Sequence, residues 1–133
     1  MSAADKTKLN AIGTVVTKTN DYTAIPTGIS TKDTSALCSV SLSPGKWVVI
    51  GRVQFPSNST GLRIVNIAMT KGSNWAQQSQ NACDGTVTAM VVAAILTVES
   101  TTTYWLNAQH TASNVMLVMN EGTSSLTAIK ISN

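Results

Sequence analysis

The sequence predicts an all-β fold, an antiparallel β-sandwich behind a short helical segment, and three observations carry that expectation. From residue 20 onward, strand-length runs alternate apolar and polar positions, with Gly, Pro, Asn and Asp between them at intervals of about ten to fifteen residues. The longest apolar run, Thr86 to Val98, is more than half Val, Ile and Thr, side chains that lose rotamer freedom in a helix and pack well on a pleated surface. The chain of 133 residues is 43% hydrophobic and only 11% charged. That is too apolar for disorder and too sparsely charged for a free monomer, so part of the Ser-, Thr-, Asn- and Gln-rich surface is expected between subunits.

Residues 1–19 read as a leader or shaft segment, and residues 20–133 as the head domain. In the leader, Leu9, Ile12 and Val16 recur at helical spacing among good helix formers. Gly13 and the run Thr14-Val15-Val16-Thr17 should stop the helix near Ile12. One short helix cannot bury its own stripe, so it either packs on other surfaces, such as its copies in an oligomer, or stays a partly ordered leader.

A short strand is expected around Tyr22 to Ile25. Ser35 to Leu42 places Ala36, Cys38, Val40 and Leu42 on one face, and Ser43-Pro44-Gly45-Lys46 turns the chain with type II chemistry. Trp47 to Phe55 follows as a long strand with Trp47, Val49, Val53 and Phe55 on one face. Gly51 either leaves room for a bulky neighbour or marks a bulge. Leu62 to Thr70 is the next strand, Trp75 to Asp84 carries no firm assignment, and Val115 to Met119 and Leu126 to Ile131 close the domain. Between them, Thr86 to Val98 and the alternating stretch from Tyr104 to His110 should form two antiparallel strands joined by the short turn Glu99-Ser100-Thr101-Thr102, both central to one sheet. Ala89 to Leu96 is the one stretch where a buried helix competes, but length and β-branching favour strand. It is too short to span a membrane.

The inventory of reactive side chains argues against an enzyme. His110 is the only histidine, at a strand end, where a solvated or hydrogen-bonded role is expected. Asp5, Asp21, Asp33, Asp84, Glu99 and Glu121 fall in the leader, loops or turns and form no motif. Cys38 and Cys83 lack metal-ligand spacing with His110, so no metal and no cofactor is expected. They read as two buried free thiols, with pairing the alternative if their strands adjoin. The net charge of +3 comes from scattered residues without interleaved aromatics, which disfavours nucleic acid. No signal peptide is expected from the N-terminal residues, and Asn58-Ser59-Thr60 reads as a chance acceptor triplet. Binding is what remains. Trp75, beside Asn74 and followed by Gln77, has the composition of a saccharide site, an indole for the sugar ring and amides for its hydroxyls; the alternative is a loop anchor on the sandwich.

The order of motifs carries a resemblance. SLSPGKWVVIGRVQF, AILTVESTTTYWLNAQH and the terminal SSLTAIKI resemble successive passages of the TNF-like jelly-roll family, which includes the globular heads of complement. The chain departs from that pattern in having a single Phe, with Leu126 and Ile129 where the ending usually has Phe. The leader SAADKTKLNAI is similar to a segment recurring in tail-fibre and baseplate proteins of bacteriophages and prophages. Together they imply the trimeric head of a tail fibre or receptor-binding protein, made in the bacterial cytoplasm and carried at the tip of the virion. Such a head binds a bacterial surface glycan, or less often a protein, without inserting into a membrane. A purely structural trimerisation head is the second reading, and a glycan depolymerase the third.

If Tyr104, Leu106 and Ala108 fill the core, alternation turns Trp105, Asn107 and Gln109 outward. The resemblance implies that this strand helps build the three-fold interface, which makes those three the expected subunit contacts. The competing register puts Trp105 in the core.

Overall fold

Ser2 starts the chain with a capping box: its hydroxyl accepts from the backbone N–H of Asp5, and the Asp5 carboxylate accepts from the backbone N–H of Ser2. The helix α1 (Ala3–Ala11) that follows ends at Ile12, as the β-branched run predicts, and buries none of its residues. The computed structural model describes residues 1–28, 33–73, 77–81, 87–113 and 115–133.

Ten strands follow among the described residues: β1 (Val15–Thr19), β2 (Thr23–Ile25), β3 (Ser35–Leu42), β4 (Gly45–Phe55), β5 (Leu62–Ala68), β6 (Gln78–Asn81), β7 (Thr88–Val98), β8 (Thr102–His110), β9 (Leu117–Met119) and β10 (Ser125–Ser132). One sheet has the order β1-β10-β4-β7 and the other β3-β8-β5-β6, with β2-β9 as a small third pair. All the ladders are antiparallel. The architecture is therefore the expected antiparallel sandwich of jelly-roll type with one short N-terminal helix.

Alternation builds the core. On β4, Trp47, Val49, Val53 and Phe55 point inward, joined by Leu126 and Ala128 of β10 and Met90 and Val92 of β7. Val40 and Leu42 of β3, Tyr104, Leu106 and Ala108 of β8, and Val65 and Ile67 of β5 face them from the other sheet. Gly51 sits where a Cβ would come within 2.6 Å of Leu106 Cδ1, so it leaves room for that leucine to reach across. Gly45 has φ +139° and lies so close to β10 that a Cβ would meet Ser132 O at 2.6 Å. The turn thus needs glycine for both conformation and approach.

Two expectations change. Strands β7 and β8, expected as neighbours in one sheet, lie in different sheets: β7 pairs with β4 along all eleven residues, whereas β8 lies between β3 and β5. The residues between them carry the chain across the sandwich rather than back along it. Residues 15–19, placed in the leader by sequence, form β1 and pair with β10 from Val15–Ile129 to Thr19–Ser125. Their β-branched side chains suit that ladder, and Val16 packs against the core.

Candidate functional site

Strand β8 shows both of its faces buried in different ways. Tyr104, Leu106 and Ala108 enter the core, so Trp105, Asn107 and Gln109 point away from it, as alternation requires. Asn107 and Gln109 are nonetheless buried within the single chain. The Asn107 side chain donates to Asn66 Oδ1 at 2.9 Å and to Thr70 O at 3.2 Å, and accepts from Gly72 N–H at 2.9 Å. Asn66 in turn donates to Ser73 O at 2.9 Å. Residues 70–73 are thereby folded down over the outer face of the sheet, with buried amides satisfying the loop's backbone.

Trp105 lies beyond that network and remains half-buried. Lys71 Nζ stands 5.2 Å from its ring centroid, a cation–π geometry. Its cross-strand partner is Ser39 on β3. Together they line a groove of about 330 Å³ whose other wall is Lys18 and Thr19 of β1 and Asp21 just beyond it. An irregularity between Ala36 and Cys38 in the β3–β8 ladder shapes this side of the sandwich. Cys38 is a free thiol, donating to Lys18 O at 3.6 Å, and burial pushes its pKa up to about 11. It is a packing group rather than a nucleophile. The groove thus combines an aromatic surface, a carboxylate, one ammonium group and two hydroxyls.

The other residues expected in a saccharide site are distributed differently. Asn74 and Trp75 lie outside the described residues, as does Cys83. Gln77 lines a second groove of about 380 Å³ with Met69, Thr70, Ser73 and Tyr104. Its amide oxygen accepts from the backbone N–H of Ile67, which ties it to strand β5.

His110 is fully buried. Its Nε2–H donates to Ile25 O at 2.7 Å, and Nδ1 accepts from the backbone N–H of Ala112 at 3.1 Å. This is a neutral imidazole by hydrogen-bond logic. Burial, and secondarily the nearby Arg63 charge, hold its pKa below the ordinary value against the opposing bond to Ile25. Arg63, its cross-strand partner, is also buried. It donates to the carbonyl oxygens of Asn58, Thr60 and Leu62, with its carbon centre 5.7 Å from the Phe55 ring centroid. These groups pin the loop after β4 and the end of β8; they do not form an acid–base pair facing solvent.

Among the solved structures that share this architecture are two of one virus. The structure of infectious bursal disease virus, Gx strain, matches with a TM-score of 0.58 and 16% identity over 90% of this chain and 33% of that one. The VP2 subviral particle of the same virus matches with a TM-score of 0.58 and 14% identity, over 90% and 32% of the two chains. The likeness is one of fold: a viral jelly-roll-like β-sandwich. This chain spans about a third of the length of those neighbours. No family model and no curated protein matches the chain.

Among the described residues, no cluster of three or more His, Cys, Asp or Glu is disposed to hold a metal ion, and no helix is long and apolar enough to cross a membrane. The groove itself escaped sequence reasoning because its walls come from residues 18, 19, 21, 37–39 and 105. No local motif links them; the one available signal was the isolated tryptophan on an otherwise amide-bearing strand face.

Proposed function

We propose that the chain is the non-enzymatic, homotrimeric head of a bacteriophage tail fibre or related receptor-binding protein, and that it attaches to a saccharide on the bacterial surface. The observation that carries the reading is the Trp105 groove. A half-buried indole offers an apolar surface to a pyranose ring, while Asp21, Ser39, Thr19 and Lys18 line the same groove and supply acceptors and donors for hydroxyl groups. The viral sandwich fold and the resemblance of the leader to tail-fibre segments support a place at the tip of a virion. The exposed, capped helix α1 suits a segment that continues into a shaft.

Glycan-array and whole-cell binding test this reading. The protein should retain particular bacterial glycans without releasing sugar products. Trp105→Ala and Asp21→Asn should each weaken binding ten-fold or more, about 1.4 kcal/mol, while leaving the melting temperature within a few degrees. Undiminished binding by both variants would remove the groove from the account. Product release would replace the head with a depolymerase.

A further inference from the structure

The sheet β1-β10-β4-β7 has an outer face that the chain leaves uncovered. The registers place Val15, Ile129, Val48 and Ile95 directly side by side, one from each strand, in a continuous aliphatic row. The next row is Thr17, Thr127, Ile50 and Ala93, and the third ends on Arg52 and Val91. Ile95 is 73% exposed, Val15 59% and Val91 53%. Contiguous apolar surface of this kind marks an interaction site, in contrast to scattered single residues.

We infer that this face is an interface between copies of the chain. The inference deepens the assembly part of the proposed function and is independent of the saccharide groove, which lies around β3 and the end of β1. Charge selects the occupant. The three rows and their extensions along β4 and β7 carry no carboxylate, and their cations are Lys46 at the margin and Arg52. Arg52 is engaged by its own chain, donating to Thr123 O at 2.9 Å and Gln54 Oε1 at 2.7 Å. A strongly acidic or basic partner finds no complement here, whereas a second copy offers the same neutral aliphatic rows.

Area points the same way. At about 4.8 Å between strands and about 3.4 Å per residue, the face has a footprint of roughly 550 Å². Three such faces brought together about the axis of the proposed trimer would bury roughly 1,650 Å² in all. Exposed Ile131 at the margin adds to it. The edge of β7 extends the same surface. It is eleven residues long, TAMVVAAILTV, with no proline and no charge, and among the described residues it is paired on one side only, with β4.

Light scattering on the purified protein decides the matter. The wild-type chain should be a multimer at micromolar concentration. Ile95→Lys should raise the dissociation constant a hundred-fold or more with an unchanged β-type circular dichroism spectrum. If that variant does not fold, the Val91→Thr, Ile95→Thr double substitution, which keeps β-branching, should raise it at least ten-fold. Met116→Thr, at an exposed site in the loop before β9, should leave it unchanged. A multimer indifferent to substitutions at residues 91 and 95 would overturn the inference while leaving the assembly reading standing. A wild-type monomer would overturn both. Glycan binding by isolated subunits, read separately, reports on the groove alone.

Discussion

At the residue scale, His110 links the fold to pH. Its folded pKa is lowered, so the unfolded chain takes up a proton more readily than the folded one. The stability that neutral His110 contributes is complete above the ordinary histidine value of about 6.5. It is lost as pH falls from there toward the folded pKa, by up to about 1.4 kcal/mol per pH unit. Protonation would place N–H against N–H at Ala112 and a second positive charge near Arg63. Urea midpoints should therefore fall between pH 7.5 and pH 5.5, and His110→Gln should flatten that dependence while lowering stability at pH 7.5. A second test concerns Gly51. Gly51→Ala forces a methyl group against buried Leu106 and should cost about 1–3 kcal/mol. In combination with Leu106→Ala the penalty should shrink, giving a coupling energy in a double-mutant cycle.

At the element scale, the fold was legible wherever one face of a strand is buried and the other wet. Strand β4 is the clear case, its inward set read directly from alternation around Gly51. Strand β7 misled because its outward residues are also aliphatic. Hydropathy reports that a side chain avoids water, and does not say whether its own sheet or another molecule covers it. The turn from Glu99 to Thr101 carried no mark of crossing between sheets. Asn107 looked like an interface amide for the opposite reason: nothing local reveals that residues 70–73 fold back over it. Helix α1 was legible through its cap and its β-branched stop. Because it buries nothing, Ser2→Ala should weaken the helix by about 1 kcal/mol and reduce the helical circular dichroism signal. The main melting transition should stay where it is, and a drop of several degrees would mean that the helix packs against the head.

At the scale of the whole molecule, the ladder between β1 and β10 bears on where the head begins. Removing residues 1–13 should leave the sandwich's melting temperature nearly unchanged, since Val15 and its neighbours would still pair with β10. Removing residues 1–19 strips one ladder, exposes the edge of β10 and withdraws Val16 from the core. That deletion should lower the midpoint by about 5 °C or more and promote aggregation through the bared strand. Equal melting temperatures for the two deletions would return β1 to the leader. The groove of Trp105 depends on the same boundary, because two of its wall residues, Lys18 and Thr19, stand on β1.

The position of β10 also sets the order of events during synthesis. It follows the other nine described strands, yet it lies between β1 and β4 and supplies Leu126 and Ala128 to the core. Until it leaves the ribosome, β1 lacks its ladder and β4 can pair only with β7. The first sheet is thus completed only after translation has passed residue 132, with long-range pairings that close slowly. A nascent chain arrested before Ser125 should remain protease-sensitive and chaperone-bound, and one with Ser132 clear of the ribosome should become resistant in a single step.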